Sequence, residues 1–242
     1  MHRKHILPTL LCSALLWSLA PGAQAETTGG AAKNAPCVTA NPPCATAPKD
    51  AATTSVVETP AMKEAMRAYD AGSYEEAFIY TEPMARMNQA DAQYLLGLMY
   101  ELGHGVAKDT KKAVELFTAS ASQGYAAAEA KLGELHLTDH DKDYGKARSW
   151  FEKAADHGYA LAYSALGDLY YNGYGVAENK DTALEYYKKA ATAGDAEACF
   201  RLGTAYETGT NVTADRKQAL FWYKKGAALG NKACEAKVQK LQ

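Results

Sequence analysis

One dipeptide constrains this chain more than any other feature. Leu-Gly returns at Leu96-Gly97, Leu132-Gly133, Leu166-Gly167 and Leu202-Gly203. A fixed period of about 35 residues marks a repeat architecture, in which small units that cannot hide their apolar sides alone stack on one another. Other positions keep the same phase. Alanine precedes each pair at Ala92, Ala128, Ala162 and Ala198, and again at Ala233. Three residues after each glycine stands Tyr100, His136, Tyr170 or Tyr206. A second alanine, at Ala113, Ala147, Ala183 and Ala219, leads into Leu116-Phe117, Trp150-Phe151, Tyr186-Tyr187 and Trp222-Tyr223. A glycine closes each copy at Gly124, Gly158, Gly194 and Gly230.

Each copy reads as two antiparallel helices. Ala92, Leu96, Met99 and Tyr100 form one apolar stripe on the first. Gly97 removes a side chain where a neighbouring helix can come close. Gly103 and Gly105 supply positive φ for a tight reversal. Asp109, Asp143, Asn179 and Asp215 recur where the second helix starts, as residues able to cap it. The expected fold is therefore all-α, a solenoid of stacked helix pairs.

The runs Leu96-Gly97, Tyr100, Gly103-His104-Gly105-Val106, Asp109, Lys112-Ala113 and Leu166-Gly167, Tyr170, Gly173-Tyr174-Gly175-Val176 resemble the Sel-one-like repeat (SLR), a relative of the tetratricopeptide repeat. Tyr186-Tyr187-Lys188-Lys189-Ala190-Ala191 extends the likeness, which covers about residues 60–242. The resemblance implies a scaffold for other proteins. Two copies depart from the motif: the second has Thr138-Asp139-His140-Asp141 in a shorter loop, and the fourth reads Gly209-Thr210-Asn211-Val212. Both departures fall in turns, not at packing positions. The copies are placed at 91–126, 127–160, 161–196 and 197–232, with a divergent first pair at 60–90 and a capping helix at 232–242. Pro83 is expected to kink the divergent pair's second helix.

Ahead of the repeats, Arg3 and Lys4 precede an apolar run from Ile6 to about Leu19, and Ala23-Gln24-Ala25 offers a small-residue cleavage site. Residues 1–25 read as an export signal, with the periplasm as the expected destination and the extracellular medium as the alternative. Residues 26–59, rich in Ala, Thr and Pro, read as a flexible leader without core-forming residues. The chain carries 26 basic against 28 acidic side chains and no basic run beyond the signal. That balance argues against nucleic acid or an anionic membrane as partner, and no later stretch is long and apolar enough for a stable membrane span.

Few constellations suggest chemistry. Cys37 and Cys44 in the leader are candidates for a local disulfide. Cys199 and Cys234 stand at one position in successive copies and are candidates for a second. His136 and His140 are one helical turn apart beside Asp139, Asp141 and Asp143. However, His136 occupies a tyrosine packing slot, and Tyr144 and Trp150 stand where a calcium loop needs glycine and glutamate. No metal site or cofactor is expected, and no nucleophile elbow or phosphate-binding loop is present. A cysteine-rich branch of the resembled family is linked to β-lactam hydrolysis. Its pattern puts cysteine where this chain has Ala155 and Ala191, so that activity does not carry over.

At about 100° per residue, the positions two before, two after and five after the Leu-Gly leucine fall opposite the packing stripe. These are Tyr94, Leu98 and Glu101, then Glu134 and Leu137, then Ser164, Asp168 and Tyr171, and finally Phe200, Thr204 and Glu207. They are expected to line an inner, concave face. Aromatic anchors surrounded by carboxylates suit a protein or peptide partner with basic character. The expected function is an exported adaptor. The alternatives are a β-lactam or cell-wall hydrolase and a secreted host-binding effector.

Overall fold

The computed structural model describes residues 59–138 and 142–241. The expected export signal, almost all of the leader, Cys37, Cys44, Asp139, His140 and Asp141 lie outside the described residues. Eleven helices follow: α1 (Pro60–Asp70), α2 (Tyr74–Arg86), α3 (Ala90–Leu102), α4 (Thr110–Ala121), α5 (Ala126–Leu135), α6 (Tyr144–Asp156), α7 (Ala160–Asn172), α8 (Lys180–Thr192), α9 (Ala196–Thr208), α10 (Arg216–Ala228) and α11 (Lys232–Leu241). There is no strand among the described residues. Each helix packs chiefly on its neighbours in sequence, so the described chain is an all-α stack of helix pairs.

Local chemistry sets the helix boundaries. Asp109 Oδ1 accepts from the Lys112 amide, Asp143 from Lys146, Asn179 from Thr182, and Asp215 from both Lys217 and Gln218. Each cap satisfies an amide that the first helical turn cannot pair. The amide of each capping residue donates back across the loop to the residue three after the Leu-Gly glycine: Asp109 to Tyr100 O, Asp143 to His136 O, Asn179 to Tyr170 O and Asp215 to Tyr206 O. This closure survives in the two divergent loops, which explains why their sequences can differ. Asn211 adopts φ 57°, close to the 69° and 67° of Gly105 and Gly175, and so replaces a turn glycine with a residue that tolerates the left-handed region.

The Leu-Gly glycine is the pivot of each pair. A Cβ at Gly97 would stand 2.6 Å from the Phe117 ring; at Gly133, 2.7 Å from Phe151; at Gly167 and Gly203, 2.5 Å from Tyr187 and Tyr223. The aromatic of the second helix therefore occupies the space a side chain would take on the first. The buried clusters then cross from pair to pair. Phe117 and Ala121 of α4 pack with Ala128 and Leu132 of α5, and Ala183, Leu184 and Tyr187 of α8 with Ala198, Cys199 and Leu202 of α9. No pair holds a complete core by itself, and this is the physical reason for stacking.

Three details refine the sequence reading. Helix α2 runs uninterrupted across Pro83; the carbonyl left without its amide belongs to exposed Ile79, where water can reach it. His136 is the C-cap of a shortened α5 rather than part of it. Ala233 is exposed although Ala92, Ala128, Ala162 and Ala198 are fully buried. Asp195 and Asn231 make equivalent turn hydrogen bonds, so the position of Ala198 falls on fully buried Cys234. The expected phase of Ala233, and with it the equivalence of Cys199 and Cys234, is thus corrected by one residue.

Candidate partner-binding groove

The residues expected on the open face of the first helices fall into two groups. Tyr94, Leu98 and Phe200 are half-buried wedges between successive pairs. The Tyr94 ring centroid is 5.8 Å from Phe117 and 5.4 Å from Tyr125, and Phe200 is 5.9 Å from Tyr223. Leu98 packs on the cluster shared by α4 and α5, and Leu137 on the next one. Tyr171 is different: it keeps 39% of its surface exposed. Ser164 donates to Asp195 Oδ2, the carboxylate that caps α9.

The carboxylates are not free. Glu101 and Glu134 share Lys131, at 3.1 and 3.5 Å; Asp168 meets Arg201 at 2.6 Å; Glu207 meets Lys237 at 2.7 Å. In three of these four pairs the cation comes from the next first helix, so the charges tie repeats together. The open acidic face read from sequence is thus corrected: the cations that neutralise it come mostly from a neighbouring copy, and pairing of this kind is invisible within a single helical wheel.

A groove of about 380 Å³ opens between α7, α8 and α9 and the loop after α9. Tyr171, Phe200 and Thr204 line it, as sequence placed them; Leu184, Arg201 and Asn211 were missed. Of the lining residues, Arg201 donates from Nη1 to Asp168 Oδ1 (2.6 Å) and lies 3.4 Å from the Tyr187 hydroxyl. That hydroxyl itself donates to Asp168 at 2.6 Å. Burial pushes the Asp168 carboxyl above its ordinary range, against the pull of Arg201 and the Tyr187 hydrogen bond. Burial, then the Asp168 charge, pushes the Tyr187 phenol upward, so it remains a donor. In the next copy, Tyr223 OH donates to Glu207 (2.6 Å) and exchanges a hydrogen bond with Thr204 (3.1 Å).

These networks depend on a difference between copies. The aromatic over the glycine is Phe117 and Phe151 in the first two copies but Tyr187 and Tyr223 in the last two. Only tyrosine carries a hydroxyl that can reach a carboxylate of the first helix, so these networks form at the third and fourth copies. The signal that could have found Arg201 was a cation about one period after an acid, at Lys131 and Arg201 alike.

The repeat pattern and this geometry agree with the comparisons with known proteins. The Sel1 repeat model matches residues 90–125, 126–159, 160–195 and 196–231. The chain belongs to the Sel1 repeat family. Among solved structures, it is similar to a Sel1 repeat protein from Oxalobacter formigenes, with 36% identity and a TM-score of 0.66 over 76% of this chain and 78% of that one. It is also similar to a protective antigen of uropathogenic Escherichia coli displaying an SLR fold, with 32% identity and a TM-score of 0.60 over 68% of this chain and 36% of that one. An immunity protein of Pseudomonas aeruginosa shares the fold at 23% identity and a TM-score of 0.53, over 70% of this chain and 67% of that one. Comparison with curated proteins gave no match. Sel1 repeat proteins are typically protein-interaction scaffolds, and the repeat points to protein partners. No described helix is long and apolar enough to cross a membrane.

Proposed function

We propose that this Sel1 repeat protein is an exported adaptor that seats a segment of another protein in the groove between α7, α8 and α9. The observation that carries this reading is the groove itself: exposed Tyr171 and half-buried Phe200 line it together with Tyr187 and Arg201, both of which are tied to Asp168. Aromatic lining beside fixed polar groups suits an apolar side chain flanked by peptide groups. Because the four carboxylates already have cations, charge gives a basic segment no advantage. Selection falls to the aromatic lining and to hydrogen bonding at Thr204 and Asn211.

The test is selection of a displayed peptide library on the purified protein, repeated with Tyr171→Ala/Phe200→Ala. Enriched peptides should bind the wild type and lose at least tenfold in affinity for the double variant, with helical content unchanged. Equal binding by both would rule the groove out. Export has its own test, N-terminal sequencing of protein recovered from the bacterial envelope fraction, which should begin at Glu26.

A further inference from the structure

Cys199 and Cys234 are both fully buried, with thiols unbridged, and both stand against one residue of the helix between them, Gly226. A Cβ at Gly226 would lie 2.4 Å from Cys234 Sγ, 3.0 Å from Cys199 Cβ and 3.2 Å from Cys234 Cβ. The equivalent positions of the earlier copies hold Ser120, Ala154 and Ala190. The loss of that side chain lets α11 settle inward, and α9 and α11 touch each other directly, more than any other two first helices do. Packed helix axes ordinarily lie about 8–10 Å apart while a disulfide needs Cα atoms within about 7 Å, so the inward approach at Gly226 is what brings the two cysteines within reach.

We propose that Cys199 and Cys234 are a disulfide-forming pair that locks the last helix onto the fourth repeat. Cys234 is the one buried residue of α11. Otherwise the helix is held by Val238 and Leu241 at its edge, by Lys237 on Glu207 and by Arg216 donating to Leu241 O. Such a light attachment opens readily, and each opening exposes both thiols together. Burial, with Cys199 adding to it, pushes the Cys234 thiol up to about 11, so the docked pair is inert and reaction occurs through the opened state. The oxidant is a low-molecular-weight or protein disulfide. One thiolate attacks it and releases the first thiol; the second thiolate then attacks the mixed disulfide and releases the other. Two protons leave the cysteines, and their two electrons reduce the oxidant to two thiols. The pair is independent of the groove, so failure of one idea leaves the other standing.

The full chain carrying Cys37→Ser and Cys44→Ser is incubated under native conditions in an oxidised/reduced glutathione buffer, alkylated and mapped by mass spectrometry. The expected product is a Cys199–Cys234 cross-linked peptide. A melting temperature several degrees above the reduced form, reversed by dithiothreitol, should accompany it. Gly226→Ala keeps both thiols but should cut the bridged fraction at least tenfold at the same buffer poise. Should that variant fold poorly, mapping of the parent chain decides alone. Recovery of both cysteines alkylated, or of glutathione adducts without the cross-link, overturns the proposal.

Discussion

Arg201 Nη1 lies 2.6 Å from Asp168 Oδ1, and this contact joins the fourth repeat to the third. Both side chains are mostly buried, at 30% and 21% exposure, so the pair is more than a screened surface bridge. Removing one partner strands the other's charge away from water. Arg201→Ala should therefore cost about 1–3 kcal/mol in urea unfolding at neutral pH. Asp168→Asn in the same background should recover part of it. Additive losses would show that the two side chains are not coupled.

The same pair sets a pH dependence. The folded state already holds the Asp168 proton more tightly than an ordinary carboxylate does, because burial outweighs the help of Arg201. For a raised carboxyl, stability falls as pH rises from its unfolded pKa through its folded one. Without Arg201 the folded value rises further. The deficit of Arg201→Ala should be largest at neutral pH and shrink as the buffer is acidified, which melting curves from pH 7 down to pH 4 would read. A deficit independent of pH would sink this account.

Glu207 shifts the other way. Its hydrogen bonds from Lys237 and Tyr223 hold the carboxyl below its ordinary range. Its contribution is full above the unfolded value of 4.5 and is lost as pH falls through the folded one. Glu207→Gln should lower stability by about 1 kcal/mol at neutral pH, and this deficit should shrink steadily as the buffer is acidified below pH 4.5.

How much of this was legible beforehand varies with how local the cause is. Asp109 as a cap, Gly97 as a close approach and the Leu-Gly phase depend on a few neighbouring residues, and the sequence displays them directly. Tyr94 and Phe200 were placed on the right side of their helices, but a helical wheel cannot show the following helix that half-covers both. The Asp168–Arg201–Tyr187 network was not seen because its members come from three helices in two copies. Only a comparison across copies reveals that an acid here and a cation one period on will meet.

The glycine pivot yields the sharpest test, because two principles predict opposite signs for it. In a helix interior, glycine to alanine ordinarily stabilises by about 1 kcal/mol through reduced backbone entropy. At Gly145, near the start of α6, the added Cβ meets only Asp143 Oδ1 at 3.3 Å, so Gly145→Ala should show that gain or a fraction of it. At Gly203 the same methyl would stand 2.5 Å from the fully buried Tyr223 ring, which has nowhere to move. Gly203→Ala should then cost about 1–3 kcal/mol by overpacking. Combining it with Tyr223→Leu, a smaller side chain at the same crossing, should recover part of the loss. Stabilisation by Gly203→Ala alone would mean that the aromatic is not seated on the glycine, and the packing scheme of all four copies would have to be redrawn.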